Sequence, residues 1–207
     1  AKKRDMLERA LTIEERAYGR DHGKGAITRA NRGIAYGNLG DQAKKRDMLE
    51  RALAINERAY GSDGAEVAVV LNRLGTAYGT LGDYAKQRDV LERALRIDER
   101  EHGKDSTDVA VVLNNLGIAH GDLGDHVKKR DMLERALAIE ERVYGRDHAK
   151  VAITLYNLAA AHGNLGDISK KRELLERTLA IFEGAYGADH PHTKLCQGQL
   201  DEVRADL

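Results

Sequence analysis

The chain repeats itself at a fixed interval. The run Lys128-Lys129-Arg130-Asp131-Met132-Leu133-Glu134-Arg135-Ala136-Leu137 returns with few changes from Lys2, Lys44, Lys86 and Lys170, each copy 42 residues after the one before. A register held from one end to the other admits one class of architecture, a supersecondary unit stacked on copies of itself. It predicts a single domain over residues 1–207, in repeat units 1–42, 43–84, 85–126, 127–168 and 169–207. Function then has to be sought on the surface such a stack displays, because no copy holds an evident chemical apparatus.

Within the unit 127–168 the apolar spacing is helical. Met132, Ala136, Ile139 and Val143 form one stripe, widened by Leu133, Leu137 and Tyr144, which predicts a helix, B, over residues 127–144. Gly145 stands where a left-handed residue closes a helix, and Asp147 is placed to cap the next. Val151, Leu155, Leu158, His162 and Leu165 then mark a second helix, A, over about residues 149–165. Gly166 and Asp167 end A and start the next B within about two residues, which forces antiparallel neighbours. About ten helices follow, an all-α chain with one proline (Pro191) and nine aromatic residues, eight Tyr and one Phe. A lone pair would leave apolar faces bare. Stacking buries them, at roughly 25 cal/mol per Å² of apolar area.

Charge and composition exclude several roles. Thirty-four basic residues balance thirty-four acidic ones, which argues against broad capture of nucleic acid or acidic membranes, and no apolar run has the length of a span. The Lys-Lys-Arg runs would align as a basic ridge, but Asp47 with Arg51 and Asp131 with Arg135, four apart, offset it, and no aromatic residues are interleaved for base stacking. Cys196, the single cysteine, suits a reducing, cytoplasmic setting and a packing role. The chain starts inside a repeat without an initiator Met, as a fragment would. No phosphate loop, Cys-x-x-Cys or nucleophile elbow occurs, so no enzyme, cofactor or metal is expected. His120 and His162 replace Tyr36 and Tyr78 as packed rings, and Asp189-His190-Pro191-His192 fits a helix start better than a metal site.

Leu74-Gly75-x-x-Tyr78, Leu116-Gly117-x-x-His120 and Leu158-Ala159-x-x-His162, each followed by Gly-Asp and then by Arg-Ala-Leu (Arg-Thr-Leu after the third), resemble tetratricopeptide repeats over essentially the whole chain. The period alone would also suit armadillo or HEAT repeats, and the Leu-Gly-x-x-Tyr element decides against them. The long form, with Asp-His after Tyr-Gly and Asn-Asn-Leu in helix A, is similar to the kinesin light chain family. The resemblance implies a right-handed α-solenoid of antiparallel helix pairs whose A helices line a concave groove.

Gly33 and Gly37, Gly75 and Gly79, Gly117 and Gly121, then Ala159 and Gly163, recur inside helix A. Each interior Gly costs about 1 kcal/mol against Ala, so a partner backbone is expected close by. One departure from the family pattern lies opposite. Lys45, Gln87, Lys129 and Lys171 occupy a helix B site that usually holds a small residue, so either their stems pack and the charges snorkel, or the helix is rotated. In the first A helix Arg29 and Arg32 stand where leucines stand later, and Gly25 replaces Val67, which predicts a loose pair, exposed or matched with acids. In the last, Asp201 and Arg204 give a polar outer face, as a capping helix requires. Met6, Leu7 and Leu11 at the other end have no preceding helix A, which invites self-association of open ends.

Asparagine in helix interiors is the remaining signal, because Asn is a middling-to-poor helix former. Asn31, Asn72, Asn114, Asn115 and Asn157 recur on helix A with Arg73 and Tyr156. By the resemblance these seven residues face the groove and grip the backbone of an extended peptide, with Val69, Val111, Ile118 and Ile153 as shallow apolar pockets. An equally open alternative is a hydrogen-bond ladder between repeats. The expected role is a non-enzymatic scaffold for a protein or peptide partner, or else an element that assembles through its ends, with no nucleic acid or membrane involved.

Overall fold

The structure, a computed structural model, describes residues 23–205 and, before them, Met6, Arg9, Thr12 and Ile13. The first predicted B helix, with Leu7 and Leu11, lies outside the described residues; Met6 is exposed. Among the described residues the chain is helical without strands: α1 (Gly23–Asn38), α2 (Gln42–Tyr60), α3 (Ala65–Thr80), α4 (Tyr84–His102), α5 (Thr107–Asp122), α6 (His126–Tyr144), α7 (Ala149–Asn164), α8 (Ile168–Tyr186) and α9 (Pro191–Ala205). Odd-numbered helices are the A type. These are the packed helix pairs of a tetratricopeptide-like α-solenoid. Contacts divide them between two compact units, Ala1–Gly103 with α1 to α4 and Lys104–Leu207 with α5 to α9. The even period gives no hint of that division.

The A-to-B turn is one device used four times. In Leu81-Gly82-Asp83 the Gly82 and Asp83 amides bond back to the Gly79 and Tyr78 carbonyls, which closes α3 and requires φ of +78° at Gly82. The Asp83 side chain then accepts from the Lys86 amide at 3.3 Å and caps α4. Asp41, Asp125 and Asp167 do the same for α2, α6 and α8. The carboxyls of Asp41 and Asp83 are held below the usual range chiefly by the Lys44 and Lys86 side chains, and that of Asp125 chiefly by the Lys128 amide.

The B-to-A loops differ from the sequence reading in two details. Gly145 has φ of +87° as expected, but its ψ of 157° is extended rather than left-handed helical. The cap of α7 is His148 and not Asp147, its Nδ1 accepting from the Lys150 amide at 3.1 Å. Each loop is also held by an arginine from the next B helix. Within the first unit Arg93 reaches the Ser62 carbonyl and pairs with Glu57 at 2.6 Å, while Arg100 reaches the Asp63 carbonyl. Within the second, Arg135 donates to the Lys104 carbonyl, Arg142 to Asp105, and Arg177 to the Arg146 carbonyl while pairing with Glu141.

The core is built in register. Leu49, Leu91, Leu133 and Leu175 of the B helices are fully buried, as are Val67, Val109 and Val151 of the A helices. Drawn from Leu133, the buried stripe of α6 runs through Ala136, Ile139 and Glu140, so Val143, predicted inside, is 49% exposed. Gly33 and Gly117 meet a partner backbone as expected, whereas Gly37, Gly75, Gly79, Gly121 and Gly163 meet side chains. A Cβ at Gly33 would stand 3.1 Å from the Lys45 carbonyl, and one at Gly75 would stand 2.6 Å from Leu91 Cγ. The second glycine of each pair is covered by a side chain. Lys129 Cδ lies 2.5 Å from where a Gly121 Cβ would be, the stems of Lys45 and Lys171 sit likewise on Gly37 and Gly163, and at Gly79 it is the Gln87 carboxamide. At the three lysines the stem packs, as one of the two readings of this site has it. Burial lowers the affinity of Lys45 and Lys129 for their protons.

The ends are mixed. Arg29 is only 7% exposed, so it is not on the loose, exposed helix that its replacement of leucine suggests. Arg32 is half-buried, donates to the Tyr36 hydroxyl at 3.0 Å and lies over that ring. In α9, Asp201 and Arg204 face outward, Arg204 pairing with Glu176 at 3.4 Å. The Lys-Lys-Arg charges are offset, but through other pairings than the sequence suggests. Arg46, Arg88 and Arg130 clasp the adjacent Asp47, Asp89 and Asp131, and Lys44, Lys86 and Lys128 pair with the capping aspartates. No helix among the described residues is long and apolar enough to cross a membrane.

Candidate functional site

In the first unit, α1, α2 and α3 enclose a pocket of about 180 Å³. It is lined by the apolar Ala30, Val69 and Val70, by Tyr60, and by the polar Asn31, Asn56, Glu66 and Arg73. Three expected contact residues, Asn31, Arg73 and the apolar Val69, thus meet on one concavity. Asn31 and Val69 are exposed and Arg73 is half-buried.

Asn56 is the residue that sequence reading missed. It is 5% exposed, and its Nδ2 donates to the Glu66 carbonyl at 3.1 Å. A backbone carbonyl only accepts, so this bond fixes the amide orientation and turns Oδ1 the other way. That oxygen is buried and has no hydrogen-bond partner. A buried acceptor left unmade costs about 1–3 kcal/mol, and here it borders a cavity. The signal was present in sequence, since Asn56 falls on the stripe of Leu49 and Ala52, at spacings of three and four residues.

In the second unit the same positions of α5, α6 and α7 carry different residues. Asn114, 84 residues after Ala30, donates from Nδ2 to Thr154 Oγ1 at 2.5 Å, and its Oδ1 accepts from Asn157 Nδ2 at 3.0 Å. Glu140, 84 residues after Asn56, accepts from the Thr154 hydroxyl; burial is the chief cause of its raised pKa, and this bond opposes it. Two of the expected contact residues, Asn114 and Asn157, are therefore joined in a ladder between successive A helices. Asn115 and Tyr156 are half-buried, as is Asn72 in the first unit. Further on, Tyr156 and Phe182 bring rings to the places of Ala30 and Asn56 and join the apolar core.

The histidines serve local structure. His120 is buried at the Tyr site, and His162 Nδ1 lies 3.4 Å from Asp167. His190 Nδ1 accepts from the His192 amide at 3.3 Å, and the two rings stack on Tyr186 and Phe182. Among the described residues no three of His, Cys, Asp and Glu come together as a metal site. Cys196 is buried, its Sγ 3.4 Å from the Leu175 carbonyl, and burial pushes its thiol up to about 11.

Models of the tetratricopeptide repeat match residues 46–100, 88–139, 109–170 and 151–192. No curated protein sequence matches significantly. Among solved structures, the nearly identical kinesin light chain repeats of Podosopora anserina share 20% identity over 88% of this chain and 86% of theirs, with a TM-score of 0.75. BtubC of P. vanneervenii shares 19% over 97% of this chain and 87% of its own, at 0.70. Aspartyl phosphate phosphatase F of Bacillus subtilis shares 15% over 98% of this chain and only 52% of its own, at 0.76. Repeats of this type form scaffolds for protein interaction, and with models matching from residue 46 to residue 192 the chain belongs to the tetratricopeptide repeat family.

Proposed function

We propose that the chain is a non-catalytic cytoplasmic scaffold that holds an extended segment of a partner protein along its A helices, with no part for nucleic acid or membrane. The observation that carries this is the pocket on α1, α2 and α3, where Asn31, Val69 and Arg73 meet beside a buried acceptor that nothing among the described residues satisfies. Asn72, Asn115 and Tyr156 extend the contact surface within their own units. Asn114 and Asn157 divide their amides between the ladder and the peptide. Amides suit such a surface because each offers a donor and an acceptor to a backbone that has both.

The test is a pair of variants assayed against peptides selected from a random library on the unaltered chain. Asn31→Ala with Arg73→Ala should weaken peptide binding at least fivefold with little change in melting temperature. Asn114→Ala with Asn157→Ala should lower the melting temperature, since those amides tie helices together. Affinity unchanged in both would refute the groove, and a melting loss with no affinity loss in the second would assign that pair to the ladder alone.

A further inference from the structure

The pocket in the first unit has a chemistry that the second unit spells out. Its lining includes Asn56, whose buried Oδ1 meets no donor among the described residues, and Arg73, whose guanidinium pairs with no acid among them. Ala30 and Val70 line it as well. In the second unit the residue in Ala30's place carries a carboxamide. Asn114 donates from Nδ2 to Thr154, which stands where Val70 stands and itself donates to Glu140 in the place of Asn56, and its Oδ1 accepts from Asn157, which stands where Arg73 stands. The first unit has neither that carboxamide nor that hydroxyl, so Asn56 Oδ1 and Arg73 are left without the groups that link their counterparts.

We infer that the pocket between α1, α2 and α3 takes a primary carboxamide, the side chain of a glutamine or asparagine in the partner segment, a conclusion that rests on the groove reading above. The bound amide donates from its nitrogen to Asn56 Oδ1 and accepts at its oxygen from Arg73, while its methylenes lie against Val69 and Val70. A carboxylate of the same shape would suit Arg73 but set a second acceptor against Asn56 Oδ1, and a methionine would satisfy neither.

The experiment uses blocked tripeptides with glutamine, asparagine, methionine or glutamate between two alanines, titrated into the ¹⁵N-labelled chain. The glutamine or asparagine peptide should bind about tenfold more tightly than the methionine one, the effect of one or two hydrogen bonds. It should also shift the Asn56 side-chain amide resonance. Ala30→Asn supplies the missing arm from within, and Ala30→Tyr copies Tyr156 of α7; either should abolish the glutamine preference, with circular dichroism confirming that both fold. Equal binding of glutamine and methionine, stronger binding of glutamate, or a preference that survives both blocking variants would overturn the carboxamide assignment and leave the groove standing. No resonance shift in either unit with any peptide, together with no peptides recovered from the random library, would overturn both.

Discussion

Gly75→Ala isolates how closely the paired helices meet. The added methyl would lie 2.6 Å from Leu91 Cγ and 2.7 and 3.1 Å from its two methyl carbons, and Leu91 has no exposed surface through which to retreat. Alanine in place of glycine gains about 1 kcal/mol of helix propensity in α3. Overpacking a sealed site loses about 1–3 kcal/mol. The net expectation is a loss of about 1 kcal/mol, or roughly 2–4 °C for a chain of this length. Leu91→Ala alone should lose about 2–5 kcal/mol through the cavity it leaves. In the double variant the new methyl enters that cavity, so the combined loss should fall short of the sum by about 1 kcal/mol. A stack of repeats need not unfold in one step, so urea titration followed by circular dichroism should be paired with hydrogen exchange read in α3 and α4. Gly121→Ala is the control: the three atoms nearest its methyl, Cδ at 2.5 Å and Cε and Nζ at 3.3 Å, all belong to the Lys129 side chain, which can swing into water, so the variant should be neutral or slightly stabilised. Stabilisation by Gly75→Ala, or strict additivity in the cycle, would refute the close-approach reasoning.

Glu140→Gln should stabilise the chain at neutral pH, because burial raises the folded pKa of Glu140 while the Thr154 hydroxyl can still donate to the amide. Both folded and unfolded forms are protonated in acid, and stability is lost as pH climbs from the unfolded toward the folded value. The difference between variant and parent should therefore close below about pH 4, and urea midpoints measured from pH 3 to 8 that stay parallel would contradict it. Cys196, fully buried with its thiol pushed up to about 11, should react with a disulfide reagent at pH 8 only as fast as α9 opens, and labelling equally fast in buffer and in urea would show that the helix does not seal it.

The elements legible in sequence were those set by local chemistry. Gly-Asp at each A-to-B turn, the helical spacing of Leu133 and Ala136, and the glycine pairs of helix A each impose a backbone or packing requirement that one residue type meets. What escaped depended on tertiary neighbours. His148 rather than Asp147 caps α7 because the chain leaves the turn one residue later. Val143 is exposed and Glu140 buried because the face of α6 is fixed by the helices on either side, and a shift of one position in the stripe exchanges them. The pocket was illegible for a different reason. It is made by what Ala30 lacks, and Ala30 differs from Asn114 and Tyr156 by a side chain whose absence means something only once Asn56 and Arg73 are seen around it. The candidate contact residues were found by their recurrence, yet recurrence did not distinguish Asn114, tied to Thr154, from Asn31 in the pocket lining.

Five arginines of the even-numbered helices reach backwards along the chain. Arg93 and Arg100 in the first unit, and Arg135, Arg142 and Arg177 in the second, fasten loops that precede them by 31 or 37 residues. Each later pair is thus a latch on an earlier one, and nothing equivalent points the other way among these arginines. If α8 peels off, the turn ahead of α7 goes slack although every residue of it is still in place, whereas losing that turn leaves Arg177 merely bathed in water. Damage therefore travels upstream more readily than down.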